Sequence, residues 1–119
     1  MIVFLNKDLM AQSQVSSAAK KLGKALKSVS QLEKAVEMIA NETVEALIVD
    51  LQTPGLVVEA LISQLNQLER RPTTIAFAQH VQVGLLESAK SEMIDSLLTR
   101  GQFMNEIPKI LSECSSTEA

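Results

Sequence analysis

The sequence predicts an α/β fold of three layers, with a five-stranded parallel sheet doubly wound between helices. Three observations carry this prediction. Five short runs rich in Val, Ile, Leu and Phe alternate along the chain with five segments of helical periodicity, the pattern of a parallel sheet covered on both faces. The run Ala46-Leu47-Ile48-Val49 is continuously apolar, as suits a strand buried on both sides. That run leads into a single carboxylate, Asp50, and then a Pro54-Gly55 turn. Open α/β sheets place their chemistry at such strand ends, and a charge there must be paired or solvated because hiding it alone is costly.

In chain order, Ile2-Val3-Phe4-Leu5 is the first buried strand, ended by Asn6-Lys7-Asp8. Asp8 is placed to cap the following helix, whose apolar positions are Val15, Ala18, Ala19 and Leu22, with Gly23 as its C′ residue. Lys20, Lys21 and Lys24 crowd that helix end, where cations suit the dipole; we expect a solvated lysine cluster. A short, weak strand spans 25–29. Ser30 and Glu33 form a capping-box pattern before a second helix marked by Leu32, Ala35, Val36, Ile39 and Ala40. The Asp50 strand follows, then a third helix over 56–70 that Arg70-Arg71-Pro72 stops. A fourth strand covers 73–78, with Gln79 and His80 just beyond; His80 reads as a solvated loop residue. A weaker helix runs through Val83, Leu85, Leu86, Ala89 and Met93, with Gly84 early in it. A fifth strand over 94–98 leaves Thr99-Arg100-Gly101 at its end. Phe103, Ile107, Ile110 and Leu111 mark one last helix, with Pro108 tolerable only in the first turn.

A chain of 119 residues is one domain of ordinary size. We expect it to occupy 1–112, with 113–119 a flexible C-terminal tail. The absence of Trp and Tyr, with only three Phe and a net charge of -3, argues against nucleic acid as a partner, since base stacking needs aromatics and phosphates need cations. No apolar run is long enough for a signal peptide or a membrane span, so we expect a cytoplasmic protein with no membrane partner. Cys114 is a lone cysteine expected to be inert in a polar tail, and no Cys or His cluster is present to hold zinc. Nothing in the pattern selects an oligomeric state.

Right-handed crossovers favour a doubly wound sheet, and among its orders we expect the flavodoxin-like 2-1-3-4-5. That order brings Asn6, Lys7 and Asp8 beside Asp50, with the ends of the fourth and fifth strands completing one rim. A cofactor-binding protein or enzyme of this fold is disfavoured, because no loop is Gly-rich enough to cradle phosphate and no G-x-G-x-x-G occurs.

Leu47-Ile48-Val49-Asp50-Leu51-Gln52-Thr53-Pro54-Gly55, with these strand ends, resembles the receiver domain of two-component response regulators over residues 1 to about 112. The resemblance implies that Asp50 is the phosphoacceptor position and that the Gln52 carbonyl matches a backbone magnesium ligand. It also implies an acidic pair after the first strand, a Ser/Thr after the fourth and a Lys after the fifth. Here those positions hold Asn6 and Lys7, Ala78, and Arg100, with Gly101 in place of the usual Pro. Asp8 falls one position past the acidic pair, where its side chain is expected to point away from Asp50.

Lys7 is the sharpest departure. Magnesium takes hard oxygen ligands, and an ammonium offers none. At an effective dielectric of about 20, two unit charges at 4 Å interact by about 4 kcal/mol, and a divalent ion roughly doubles the repulsion. The expectation is a stand-alone degenerate receiver, a pseudo-receiver with no catalytic residue, cofactor or metal. In it Asp50 pairs with Lys7 or Arg100, and the partner is a protein such as a sensor kinase or another regulator. The alternative is a phosphorylatable single-domain response regulator that binds magnesium through Asp8 and Asp50.

Overall fold

The computed structural model describes residues 1–114. Five parallel strands, β1 (Ile2–Leu5), β2 (Leu26–Val29), β3 (Ala46–Asp50), β4 (Thr73–Ala78) and β5 (Ser96–Thr99), form one sheet in the order β2-β1-β3-β4-β5. This is the doubly wound, flavodoxin-like order expected from the sequence. Six helices cover it: α1 (Leu9–Lys21), α2 (Leu32–Asn41), α3 (Val58–Gln67), α4 (Val83–Ser88), α5 (Arg100–Asn105) and α6 (Ile107–Glu113).

Strand alternation divides the core into two layers, which is why the central strands are apolar at consecutive positions. Ile2, Phe4, Ile48 and Phe77 face α1, α5 and α6, packing on Val15, Phe103, Ile107 and Leu111. Val3, Leu5, Leu47, Val49 and Ala76 face α2, α3 and α4, packing on Ala35, Leu61 and Leu65. The three phenylalanines meet in the first layer. Phe77 and Phe103 stack at 4.2 Å between centroids, and Phe4 is tilted 6.3 and 6.2 Å from them.

Asp8 caps α1 as expected, and α1 closes as the sequence implies: Gly23, at φ 71, follows the cap residue Leu22. The Gly23 N–H reaches the Lys20 carbonyl and the Lys24 N–H the Ala19 carbonyl, a Schellman closure that only a left-handed residue completes without strain. The buried stripe of α1 is Ala11, Val15 and Ala19, while Leu22 is part of the exposed cap.

Several boundaries depart from expectation. Gln31, not Ser30, is the N-cap of α2, and no side chain caps it, so the capping box is not formed. The third helix is shorter than 56–70, because Leu68 turns extended to lead the chain toward β4. The weak fourth helix stops at Ser88, leaving Met93 in the following turn and the buried Ala89 as its cap. β5 begins at Ser96 rather than at residue 94, because the Asp95 N–H bonds to the Thr74 carbonyl and the ladder with Ile75 starts one residue later. The last helix is two helices. Pro108 cannot donate within a continuous helix, so it occupies the first turn of a new one after Glu106. α6 runs to Glu113, and Cys114 is buried against the first core layer. Cys114 therefore belongs to the domain rather than to a polar tail; the rest of the expected tail, 115–119, lies outside the described residues. No helix among the described residues is long and apolar enough to cross a membrane.

Candidate functional site

The register sets the rim of the site. Leu5 pairs with Val49, Asp50 with Phe77 and Ala78 with Thr99, so four strand ends meet at one edge of the sheet. The segments leaving them enclose a cleft of about 340 Å³, lined in part by Lys7, Asp8, Asp50, Gln52, Gln79 and Arg100. A larger depression of about 490 Å³ adjoins it beyond Lys7, against the start of α2, and contains neither carboxylate of the cleft.

Asp50 is only 6% exposed. Its Oδ1 accepts from the Gln52 N–H at 2.9 Å, and its Oδ2 lies 3.8 Å from Arg100 Nη1. The Asp50 carbonyl accepts from both the N–H and the hydroxyl of Thr53, at 3.0 and 2.6 Å, which tightens the turn before Pro54. The Gln52 side chain reaches across to accept from the Gln79 N–H at 2.7 Å, tying the loops after β3 and β4 together. Burial pushes the Asp50 carboxyl above its ordinary range. The Gln52 N–H and the Arg100 charge oppose that shift, and the nearby Asp8 adds to it.

The loop after β1 does not behave as simple strand alternation implies. Asn6 is fully buried. Its side chain donates to the Phe4 carbonyl at 3.2 Å and accepts from the Asp8 N–H at 3.0 Å, an Asx turn that redirects the next two residues. As a result Lys7 faces solvent and Asp8 faces the cleft. This corrects one expectation and decides another: Asp8 does not point away from Asp50's surroundings, and of the two cations expected beside Asp50, Lys7 makes no ion pair with it among the described residues. The cation beside Asp50 is Arg100.

Asp8 carries two tasks at once. Its Oδ1 accepts from the Met10 and Ala11 N–H groups at 3.0 and 3.2 Å, capping α1, and its Oδ2 takes a 2.6 Å bond from Arg100 Nη2. The Ala11 N–H, with Arg100 and the Met10 N–H in support, holds the Asp8 carboxyl below its ordinary range against a smaller opposing effect of burial.

Arg100 is the first residue of α5, directly after the Thr99 cap. Thr99 and Gln102 form a reciprocal capping box at 3.1 and 2.9 Å. A cation at a helix N-terminus opposes the dipole, but here the side chain extends back into the cleft, with its guanidinium carbon 6.0 Å from the Phe77 ring centroid. Ala78 is fully buried at the end of β4 and presents no hydroxyl. The structure thus brings Lys7, Asp8, Asp50, Gln52 and Arg100 to one cleft surface, and leaves Asn6 and Ala78 beneath it. Gln79 and Thr53 are contributors that the sequence reading missed. Asn6-x-Asp8 is itself an Asx-turn signature, so the inward turn of Asp8 had a visible signal.

A divalent ion here would have to draw on Asp8, Asp50 and the Gln52 carbonyl. Three of the four carboxylate oxygens already accept N–H bonds, and the fourth faces the guanidinium. The described residues hold no group of three or more His, Cys, Asp or Glu able to bind a metal. This donor set does not fit magnesium as it stands.

No protein-family model and no curated protein matches the sequence. Solved structures do match the fold. The receiver domain of a sensor histidine kinase from Pseudomonas aeruginosa, with magnesium in its active-site cleft, aligns with a TM-score of 0.79 at 19% identity over 94% of this chain and 93% of its own. A CheY-like response regulator receiver domain from Methylobacillus flagellatus gives 0.75 at 20% identity over 96% and 97%. A receiver domain protein from Bacillus halodurans gives 0.77 at 11% identity over 98% and 97%. The chain has the fold of the response-regulator receiver domains.

Proposed function

We propose that this chain is a receiver-type module of two-component signalling that works by protein-protein contact, without magnesium-dependent phosphotransfer and not as an enzyme. The observation that carries this reading is what occupies the strand ends around Asp50. Asn6 is turned onto its own loop, Lys7 faces solvent, and Ala78 offers no hydroxyl. Phosphoryl transfer relies on metal and hydrogen-bond stabilisation of developing charge, and these residues supply neither. A sensor kinase or another regulator is the kind of partner this reading implies. Leu9 and Met10, 79% and 69% exposed at the start of α1, provide apolar surface beside the cleft for a protein to cover.

One observation favours the alternative, a phosphorylatable response regulator with Asp50 as phosphoacceptor: Asp8 does face the cleft and supplies a second carboxylate there. Incubation with acetyl phosphate and magnesium, followed by intact-mass measurement and hydroxylamine trapping, separates the two readings. We expect no adduct. A phosphoryl group mapped to Asp50 refutes the interaction-only reading and establishes the alternative.

A further inference from the structure

Among the described residues, Arg100 is the cation whose ion pairs reach two carboxylates at once; Arg71, also part-buried, pairs across 24 residues with Asp95 alone. Lys34–Glu37 and Lys90–Glu87 are exposed neighbours on single helices, of the sort that contributes little. Arg100 is 26% exposed and spans 92 residues of sequence to Asp8 and 50 to Asp50, giving a different nitrogen of its fork to each. Through them it joins the start of α5 to the start of α1 and to the end of β3, while lying over a ring of β4. A planar guanidinium can hold two carboxylates at once; an ammonium at this position is a point charge that cannot span them.

We propose that Arg100 is the standing cation of this cleft: a positioning residue whose guanidinium holds Asp8 and Asp50 together where a divalent ion would otherwise have to act, so that the junction between β5 and α5 is latched to α1 without metal. Two carboxylates brought into one cleft repel each other and need a cation between them. The chain supplies that cation covalently, at an effective concentration no dissolved ion matches. The latch extends the interaction-only reading to the conformation of the same cleft, since a cleft closed by its own side chain presents one fixed surface whatever the magnesium level.

The test uses manganese as the probe, on the wild-type chain and on Arg100→Gln. In the wild type, we expect millimolar manganese to leave the backbone amide signals of Met10, Ala11 and Gln52 unbroadened and the melting temperature unmoved. In Arg100→Gln, we expect the metal-free melting temperature to fall by roughly 4–8 °C. Manganese should then broaden those amide signals selectively, and adding Asp50→Asn should abolish the response. Selective broadening in the wild type overturns the proposal, because a metal then enters with Arg100 present. A destabilised Arg100→Gln that takes no manganese also overturns it, reducing the contact to a structural ion pair. Should Arg100→Gln fail to fold, Arg100→Lys keeps the charge but not the span, and gain or absence of the same broadening decides in the same way. The phosphorylation test reads separately. An adduct on a wild type that is silent to manganese refutes the interaction-only reading and leaves the latch standing.

Discussion

Two carboxylates face one guanidinium in this cleft, yet their contributions to stability should have opposite signs. For Asp50, Arg100 at 3.8 Å is worth about 4 kcal/mol at an effective dielectric of about 20, and the charge-assisted bond from the Gln52 N–H adds about 1.5–3 kcal/mol. Removing the carboxylate from water costs several kcal/mol, and Asp8 repels it. These large effects nearly cancel, and burial prevails, since the Asp50 carboxyl sits above its ordinary value. The ionised form therefore costs the folded state. Asp50→Asn keeps an oxygen for the Gln52 N–H and removes the buried charge. With Arg100 still paired to Asp8, we expect it to stabilise the protein at pH 7 by about 1 kcal/mol, the low end of what replacing buried ionic groups by uncharged ones gives. The stability associated with protonated Asp50 is fully present below its unfolded value of 3.8 and is lost as pH rises through the higher folded value. The advantage of the variant should thus open as pH climbs from acid and then level off. Asp8 behaves inversely. Its folded value is lowered, so its contribution is present above 3.8 and lost as pH falls through the folded value. Asp8→Asn, still a good cap, should lose about 0.5–1 kcal/mol at pH 7 after allowance for solvent screening of a pair whose side chains are 26% and 34% exposed. With no Trp or Tyr in the chain, urea denaturation followed by far-ultraviolet circular dichroism at acid and neutral pH is the assay. An Asp50→Asn variant less stable than wild type at pH 7 refutes the reasoning.

Three further outcomes test the framework around the cleft. Phe103→Ala removes a fully buried ring stacked on Phe77 at 4.2 Å and should cost about 3–5 kcal/mol in urea denaturation, with Phe77→Ala coupled to it in a double-mutant cycle. Gly55→Ala meets no atom within 4 Å but must adopt φ +86, so a loss of about 1–2 kcal/mol should come from the backbone alone. The Cys114 thiol is pushed up to about 11 by burial, leaving about a thousandth of it as thiolate at pH 8. Its reaction with a disulfide reagent should be slow in the folded protein and accelerate sharply in urea; equal rates would place the thiol at the surface.

The three central strands, β1, β3 and β4, were the most legible part of this chain because burial on both faces writes them as apolar runs. β1 is Ile2–Leu5, as read from the sequence, and the observed order is the flavodoxin-like one chosen among the doubly wound sheets that right-handed crossovers allow. Legibility fell where competing caps or weak helices decide the outcome. Ser30 and Glu33 spell a capping box, yet Gln31 takes the cap, because the register of β2 against β1 ends at Val29 and fixes how far the chain runs before turning. The fifth strand starts later than its apolar run because the Asp95 N–H is taken by Thr74. That slip makes Thr99 the cap and Arg100 the first residue of α5. At the site, Asp50 and Arg100 were named correctly as neighbours, but the partner role was shared with Lys7 by charge alone. Which cation enters depends on the Asx turn of Asn6, a local hydrogen bond that charge patterning does not describe.

Several local preferences conflict in the cleft. A cation opens α5 against the helix dipole, a charge is buried at the end of β3, and the cap of α1 is drawn across to both. The first two are unfavourable alone, and the favourable cap by Asp8 makes them acceptable by giving Arg100 a second carboxylate. The Schellman closure at Gly23 and the two apolar layers, by contrast, agree with the fold. Conflicts gathered in one cleft fit a site that serves something besides stability. Here that something does not need Asp50 to be reactive: a buried acid that an Asn would replace at a gain, tied to two helix starts through one arginine, fixes the relative position of α1 and α5. On this account the carboxylate that looks like a phosphorylation site serves as the anchor of a latch, and the surface it sets, with Leu9 and Met10 at its edge, is what a partner reads.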